Sequence, residues 1–254
     1  MKKQILPIMF LINCFTLPVW ANDIVITAER QVDVYQEENK VVAIGDAVAV
    51  KDNLTVKAQE LTAFFEKTQN SDGSESNTIS KMYAKDRASL NMDKADAYGD
   101  SIEYNLQQDF LLIKGKPAIV KNAQAKVSAT DSITYYPALS KAVAKGNVIA
   151  DNGKNKIFSD TMETYFKKDK NGEMVLERVE IPQNPKIVTK DGSVKAKSGI
   201  YYPDQNMVYM YEDVIIDQNG NILKGDKAET NLNTGISRIL SGKERVSGVW
   251  YEED

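Results

Sequence analysis

Apolar and polar positions along this chain recur in runs of four to seven residues, rich in Val, Ile, Tyr and Thr and separated by turn residues. The stretch from Asp109 to Tyr135 shows the unit: an apolar strand Phe110 to Ile113 stops at Gly115, Ala118 to Lys121 follows, a third strand reaches Ala129, and a fourth carries Ile133 and Tyr135. The residue after each Gly-type break is Asp46, Asp86, Pro117, Asn147, Pro185 or Asp213. The next small or turn-tolerant residue is Ala58, Tyr98, Ala129, Ser159, Ala196 or Gly225, at steps of 12, 12, 12, 12, 11 and 12. Two positions after the break lie Val48, Ala88, Ile119, Ile149, Ile187 and Ile215; six after the small residue lie Phe64, Tyr104, Tyr135, Tyr165, Tyr202 and Asn231. A spacing held this closely is an internal repeat of about 30 residues.

No 3.6-residue periodicity competes with it over eleven or more residues. Asn152-Gly153, Asn171-Gly172, Asp191-Gly192 and Asn219-Gly220 mark tight turns between antiparallel strands. Asp169-Lys-Asn-Gly and Asp217-Gln-Asn-Gly lack the Gly and Glu spacing of calcium loops, so they too read as turns. The pattern predicts an all-β chain, either an open antiparallel jelly roll or a β-solenoid. It opens on a half unit, with Ala28 at the small position and Val32 where Ile102, Ile133 and Ile200 sit in later copies. Residues 68–78 are polar throughout and predict a flexible loop or hairpin tip, the best candidate for a seam within an otherwise continuous 22–254 repeat domain.

Residues 1–21 carry Lys2 and Lys3, an apolar core from Ile5 to Leu17 and the small-x-small run Val19-Trp-Ala21, which predicts a secretion leader cleaved after Ala21. Asn13, Pro7 and Pro18 interrupt the roughly 20 apolar residues a membrane anchor would need. The single Cys, Cys14, lies in this leader, so no disulfide or thiol chemistry is expected of the mature chain. Removing Lys2 and Lys3 takes the net charge from −4 to −6, the wrong balance for a nucleic-acid binder.

With no His and no mature Cys, neither Ser-His-Asp nor Cys-His catalysis can be assembled, nor an imidazole–thiolate metal site. A carboxylate pair remains conceivable, but the acids fall in turns and on polar faces. The expectation is a non-enzymatic surface with no cofactor and no metal. The column Val48, Ile119, Ile149, Ile187 and Ile215 reads either as plain core or as the lining of a groove for fatty chains, where each buried CH₂ contributes about 0.8 kcal/mol.

Tyr104-Asn-Leu-Gln-Gln-Asp-Phe-Leu-Leu-Ile-Lys-Gly115, Ala125-Lys-Val-Ser-Ala-Thr-Asp-Ser-Ile-Thr-Tyr135 and the leading Ile24-Val-Ile-Thr-Ala-Glu-Arg30 resemble the LptA (OstA-like) family of lipopolysaccharide transport proteins over most of the mature chain. The resemblance implies an open, twisted, solenoid-like β-jelly roll in the periplasm. It implies a role in a bridge that carries lipopolysaccharide from the inner to the outer membrane, with LptC-like and LptD-like jelly rolls as partners and head-to-tail stacking of copies. It carries lipid contact onto Ile24 and Phe110. With the repeat columns this makes Ile24, Ile26, Val48, Ile102, Phe110, Leu112, Ile119, Ile133, Ile149, Ile187, Ile200 and Ile215 the candidate lipid-binding residues. The runs Ile24, Val25, Ile26, Thr27 and Ile236, Ser237, Arg238, Ile239, Leu240 are candidate partner edge strands, because neither carries the Pro or Lys that normally blocks edge pairing. An LptC-type or LptD amino-terminal-type relative, or a structural β-repeat surface protein, is the alternative. The chain is longer than typical family members.

Overall fold

The computed structural model describes residues 24–69, 73, 75–218, 220–234, 236–242 and 245–250. The leader, 1–21, lies outside them, as do 70–72 and 74 of the polar stretch. Twenty antiparallel strands run through the described residues: β1 Val25–Thr27, β2 Gln31–Tyr35, β3 Lys40–Lys51, β4 Leu54–Gln69, β5 Glu75–Asn91, β6 Asp96–Asn105, β7 Phe110–Lys114, β8 Ala118–Lys121, β9 Lys126–Ala129, β10 Ser132–Tyr136, β11 Lys141–Asp151, β12 Lys156–Lys168, β13 Met174–Gln183, β14 Lys186–Thr189, β15 Gly192–Lys195, β16 Ser198–Tyr202, β17 Met207–Gln218, β18 Asn221–Asn231, β19 Ile236–Leu240 and β20 Ser247–Val249.

Several strands are far longer than the four to seven residues expected, because a break does not end the strand. At Gly45-Asp46, Asp86-Arg87, Gly146-Asn147 and Glu212-Asp213 two consecutive residues take positive φ, from 40° to 91°. The ladder slips there and then continues, between Ile44 and Ala47, Lys85 and Ala88, Lys145 and Val148, and Tyr211 and Val214. Such a bulge bends the strand, so its two halves join different sheets. Gly45 and Gly146 take this conformation without strain, whereas Arg87 and Glu212 hold it as non-glycine residues.

The chain divides into two compact units. Among the described residues the first comprises 24–123 together with 129–140, the second 124–128 and those from 141 onward. In the first unit one sheet runs β1, the end of β3, the start of β4, the end of β5, the start of β6, then β8. The other runs β2, the start of β3, the end of β4, the start of β5, the end of β6, β7 and β10. The second unit repeats the plan: β9, β11, β12, β14, β15, β17, β18 and β20 in one sheet; β11, β12, β13, β16, β17, β18 and β19 in the other. Each unit is a jelly roll whose bent strands serve both of its sheets.

The described strand residues of the polar stretch 68–78 belong to β4 and β5, in which Thr68 pairs with Ser76 and Gln69 with Glu75. The division between units falls at 124–140 instead. The turns at Asn152-Gly153, Asn171-Gly172 and Asp191-Gly192 take the expected places, while Asn219 lies outside the described residues. Asp169 accepts the N–H groups of Asn171 (2.8 Å) and Glu173 (2.9 Å), which uses its carboxylate to hold the turn. Two short 3₁₀ turns, Pro137–Leu139 and Pro203–Gln205, were not apparent in the pattern. Each opens on Pro and closes on a left-handed residue, Ser140 or Asn206.

The column two residues after the breaks does not occupy one face. Val48, Ile119 and Ile149 are half-buried on the outer side and Ile215 is exposed, while Ala88 and Ile187 are buried in the interior. For Ala88 the cause is that Asp86 is the first residue of its positive-φ pair, where Asp46, Asn147 and Asp213 are the second; for Ile187 it is the 11-residue step from Pro185 to Ala196. In β8 the residue directly after Pro117 faces inward; in β14 it is the second after Pro185. A one-residue slip turns every side chain of a strand to the other face. For the same reason the inward partner of the Tyr135 position is Tyr201, not Tyr202.

Candidate functional site

Between the two sheets of each unit lies an apolar interior. In the first unit it is lined by Leu54, Val56 and Leu90 from one sheet and Met82, Ala84, Ile102, Tyr104 and Leu111 from the other. In the second, Ile157 and Ile187 face Met162, Val179, Ile181, Gly199, Ile200, Tyr201, Val208 and Met210. Each encloses a cavity of about 20 Å³, room for about one water.

The two interiors are copies, as the strand registers show. Val56 pairs with Leu90 as Ile157 pairs with Ile187. Met82 pairs with Tyr104 as Val179 pairs with Tyr201, and Ala84 with Ile102 as Ile181 with Gly199. Tyr104 pairs with Leu111 as Tyr201 pairs with Val208. Every one of these residues lines its own cavity. The duplicated set was invisible in the spacing columns because the side chains differ in kind: Ile102 has Gly199 as its counterpart and Met82 has Val179.

The candidate lipid residues separate accordingly. Ile102 lines the first cavity, and Ile187 and Ile200 the second. Ile133 is buried on the inner face beside Ile113. Phe110 and Leu112 alternate with the buried Leu111 and Ile113, so they lie on the outer side with Val48, Ile119, Ile149 and Ile215. Ile24 and Ile26 are half-buried at the first unit's edge. Sequence reasoning missed Met82, Tyr104, Leu111, Val208 and Met210. The signal that could have found them is alternation counted outward from each bulge, not from the chain's start.

The second unit carries an ion-pair cluster on its outer face. In the second unit Lys141 Nζ lies 2.7 Å from Glu163, whose carboxyl this contact holds below the usual carboxylate range. The Tyr165 hydroxyl donates to the same carboxylate (2.8 Å), and the Arg178 guanidinium lies 3.7 Å from the Tyr165 ring centroid while pairing with Glu180 at 2.6 Å. Inside, burial alone pushes the Tyr201 phenol up to about 12. The arrangement can shelter hydrocarbon.

Both candidate edge runs are edge strands. Among the described residues β1 and β2 pair only with β3, and β19 and β20 only with β18. Many of the exposed large apolar side chains lie at these edges, although Leu106, Leu139 and Ile215 do not. Val34 is 66% exposed, with Val25, Val32 and Tyr35 nearby in sequence; Ile236 is 64% and Trp250 68% exposed, with Val249 beside the latter. β2 and β20 were not among the expected edges.

No curated protein sequence matches this one. Among solved structures, LptH of Pseudomonas aeruginosa, described as the LptA homologous periplasmic component of the conserved lipopolysaccharide transport device, is 23% identical over 50% of this chain and 95% of its own, with a TM-score of 0.43. The family model described as LptA/(LptD N-terminal domain) LPS transport protein matches twice, over residues 25–138 and 130–236, so that each match spans most of one jelly-roll unit. The chain belongs to this LptA/LptD amino-terminal family, with two copies of the family's domain in tandem.

Proposed function

We propose that this chain is a non-enzymatic periplasmic carrier of lipopolysaccharide, a bridge component that passes the lipid from the inner toward the outer membrane and holds its acyl chains in the two interiors. The observation that carries the reading is the duplicated apolar interior between two sheets that share strands but leave edges unpaired on one side. A cavity of about 20 Å³ does not admit an acyl chain, so the sheets of a unit must part for loading. A corner-bent strand allows that by flexing at its bulge. Each CH₂ sheltered contributes about 0.8 kcal/mol, so a few carbons suffice to offset a modest opening cost. The free edges are where LptC-like and LptD-like jelly rolls, or further copies of this chain, would add a strand, with backbone hydrogen bonds supplying affinity and side chains the register. Residues 1–21 act as the export leader.

Photo-crosslinking in cells tests this. Benzoylphenylalanine at Leu111 and at its counterpart Val208 is expected to capture lipopolysaccharide, whereas the same group at the outward Leu112 or at the exposed Asp160 is not. Capture from the outward positions alone would defeat the interior reading. Capture from none would defeat the carrier reading.

A further inference from the structure

Among the described residues Ser159 Oγ is the one buried side-chain polar atom without a hydrogen-bond partner. The residue is 7% exposed. It stands on the inner face of β12 between Ile157 and Met162, which are both buried and both line the second cavity. Its ladder partner, Val148, is fully buried and brings no polar side chain. Ser80, a buried serine of the first unit, shows the ordinary outcome: its hydroxyl donates to the Phe64 carbonyl (3.4 Å). A hydroxyl withdrawn from water without such an acceptor lowers stability, so its retention calls for a reason.

The first unit differs at this place. Counting along β4 and β12 from the matched Val56 and Ile157, Ala58 is the counterpart of Ser159, Leu61 of Met162 and Ala63 of Thr164. The ladders agree: Ala58 pairs with Ala47 as Ser159 pairs with Val148, and Ala63 with Met82 as Thr164 with Val179. Thr164 is also buried, on the same face as Met162. The inner face of β12 therefore carries two hydroxyls where its copy in β4 carries only alanine.

We propose that the second interior selects chains bearing an oxygen substituent, a hydroxyl or an ester, and that Ser159 Oγ recognises it by donating a hydrogen bond to the chain oxygen. Thr164, the next inward position beyond Met162, extends the polar track along the same strand. The first interior, with Ala58 and Ala63 at these places, takes plain hydrocarbon and disfavours such a chain, because an oxygen buried without a partner is costly. This rests on the carrier reading above and adds to it a difference in selectivity between the two units. In a water-poor interior one hydrogen bond discriminates well, since the mismatched chain leaves a buried hydroxyl unpaired.

The test uses the full mature chain with dodecanoate and a set of hydroxydodecanoates carrying the hydroxyl at successive carbons, all below their micelle-forming concentrations. Calorimetry with wild-type protein is expected to show two chain sites. For the carbon that comes to lie at Ser159, one site should prefer the hydroxylated chain about fivefold and the other should disfavour it. Ser159→Ala gives the second unit the residue that its copy already carries. It should abolish the preference, leave dodecanoate binding unchanged and not lower the melting temperature of the unliganded protein. Three results overturn the proposal while leaving the carrier reading intact: dodecanoate bound by wild type with no preference for a hydroxyl at any carbon, an undiminished preference in Ser159→Ala, or equal loss of all the probes in Ser159→Ala with a lowered melting temperature. Failure of wild type to bind any of these chains would overturn both readings.

Discussion

Gly199 faces Met210 across the β16–β17 ladder, and a Cβ added to Gly199 would lie 2.7 Å from the Met210 sulfur. In the first unit the same two places hold Ile102 and Ile113. Volume has been moved across the strand pair, two branched side chains on one side and none plus a long one on the other, so each interior is filled by a different solution. Gly199→Ile alone is expected to destabilise by about 1–3 kcal/mol through overpacking. Adding Met210→Ile should recover at least half of that, a coupling read from a double-mutant cycle in denaturant. Strict additivity would show that the two positions do not share space.

Gly99 is constrained by backbone, which cannot give way as a methionine can. A Cβ there would stand 2.4 Å from the Lys114 carbonyl oxygen and 3.0 Å from Ile113. Gly99→Ala should therefore cost about 1–3 kcal/mol in chemical denaturation. Gly153→Asn, in an open turn with nothing within 4 Å and a φ that Asn tolerates, should change stability by less than about 0.5 kcal/mol.

Tyr201 supplies a pH signature. Its phenol is pushed up to about 12 by burial, and the residue is 7% exposed. The neutral form is favoured in the folded state, so this contribution is complete below the unfolded value of about 10 and is lost as pH rises from there toward 12. The wild type should lose roughly 2–3 kcal/mol over that interval from this group. Tyr201→Phe should remove that part of the alkaline slope in urea titrations at successive pH values, with little change at pH 7.

The exposed edge residues separate assembly from folding. Val34→Lys and Ile236→Lys place a charge on edge strands where side chains already face water, at 66% and 64% exposure. Each should leave thermal unfolding within about 0.5 kcal/mol of wild type yet lower the mass seen in concentration-series light scattering, because an edge lysine blocks strand addition. Wild type that stays monomeric at high concentration, with neither edge crosslinking to a partner, would remove the assembly reading.

The export reading has its own check. Amino-terminal sequencing of protein from the periplasmic fraction should begin at Asn22. A sequence beginning at Met1 would favour an anchored relative.

The corners were legible because they need particular residues. Asp46, Asp86, Asn147 and Asp213 stood out as a regular series, and each proves to be a member of a positive-φ pair, the first in Asp86-Arg87 and the second in the other three. The turns at Asn152-Gly153, Asn171-Gly172 and Asp191-Gly192 were legible for the same reason. What could not be read was parity. Phe110 to Ile113 is apolar on both faces, so the pattern could not say that Leu111 and Ile113 point inward and Phe110 and Leu112 do not. Parity is reset at every bulge and again by the short step after Pro185. The cavity residues were legible as strand residues, but their side was decided by ladder pairing with distant segments.

A strand that bends at a left-handed pair and continues has a consequence for evolution. Barrels stop growing when the last strand meets the first; these sheets contain no such rule, since each passage round a corner adds a rung and leaves a new rung exposed. Lengthening then requires only another stretch of similar spacing, and the added stretch inherits an interior of its own that is free to diverge. The exchange of Ile102 and Ile113 for Gly199 and Met210 is what such a freed copy accumulates.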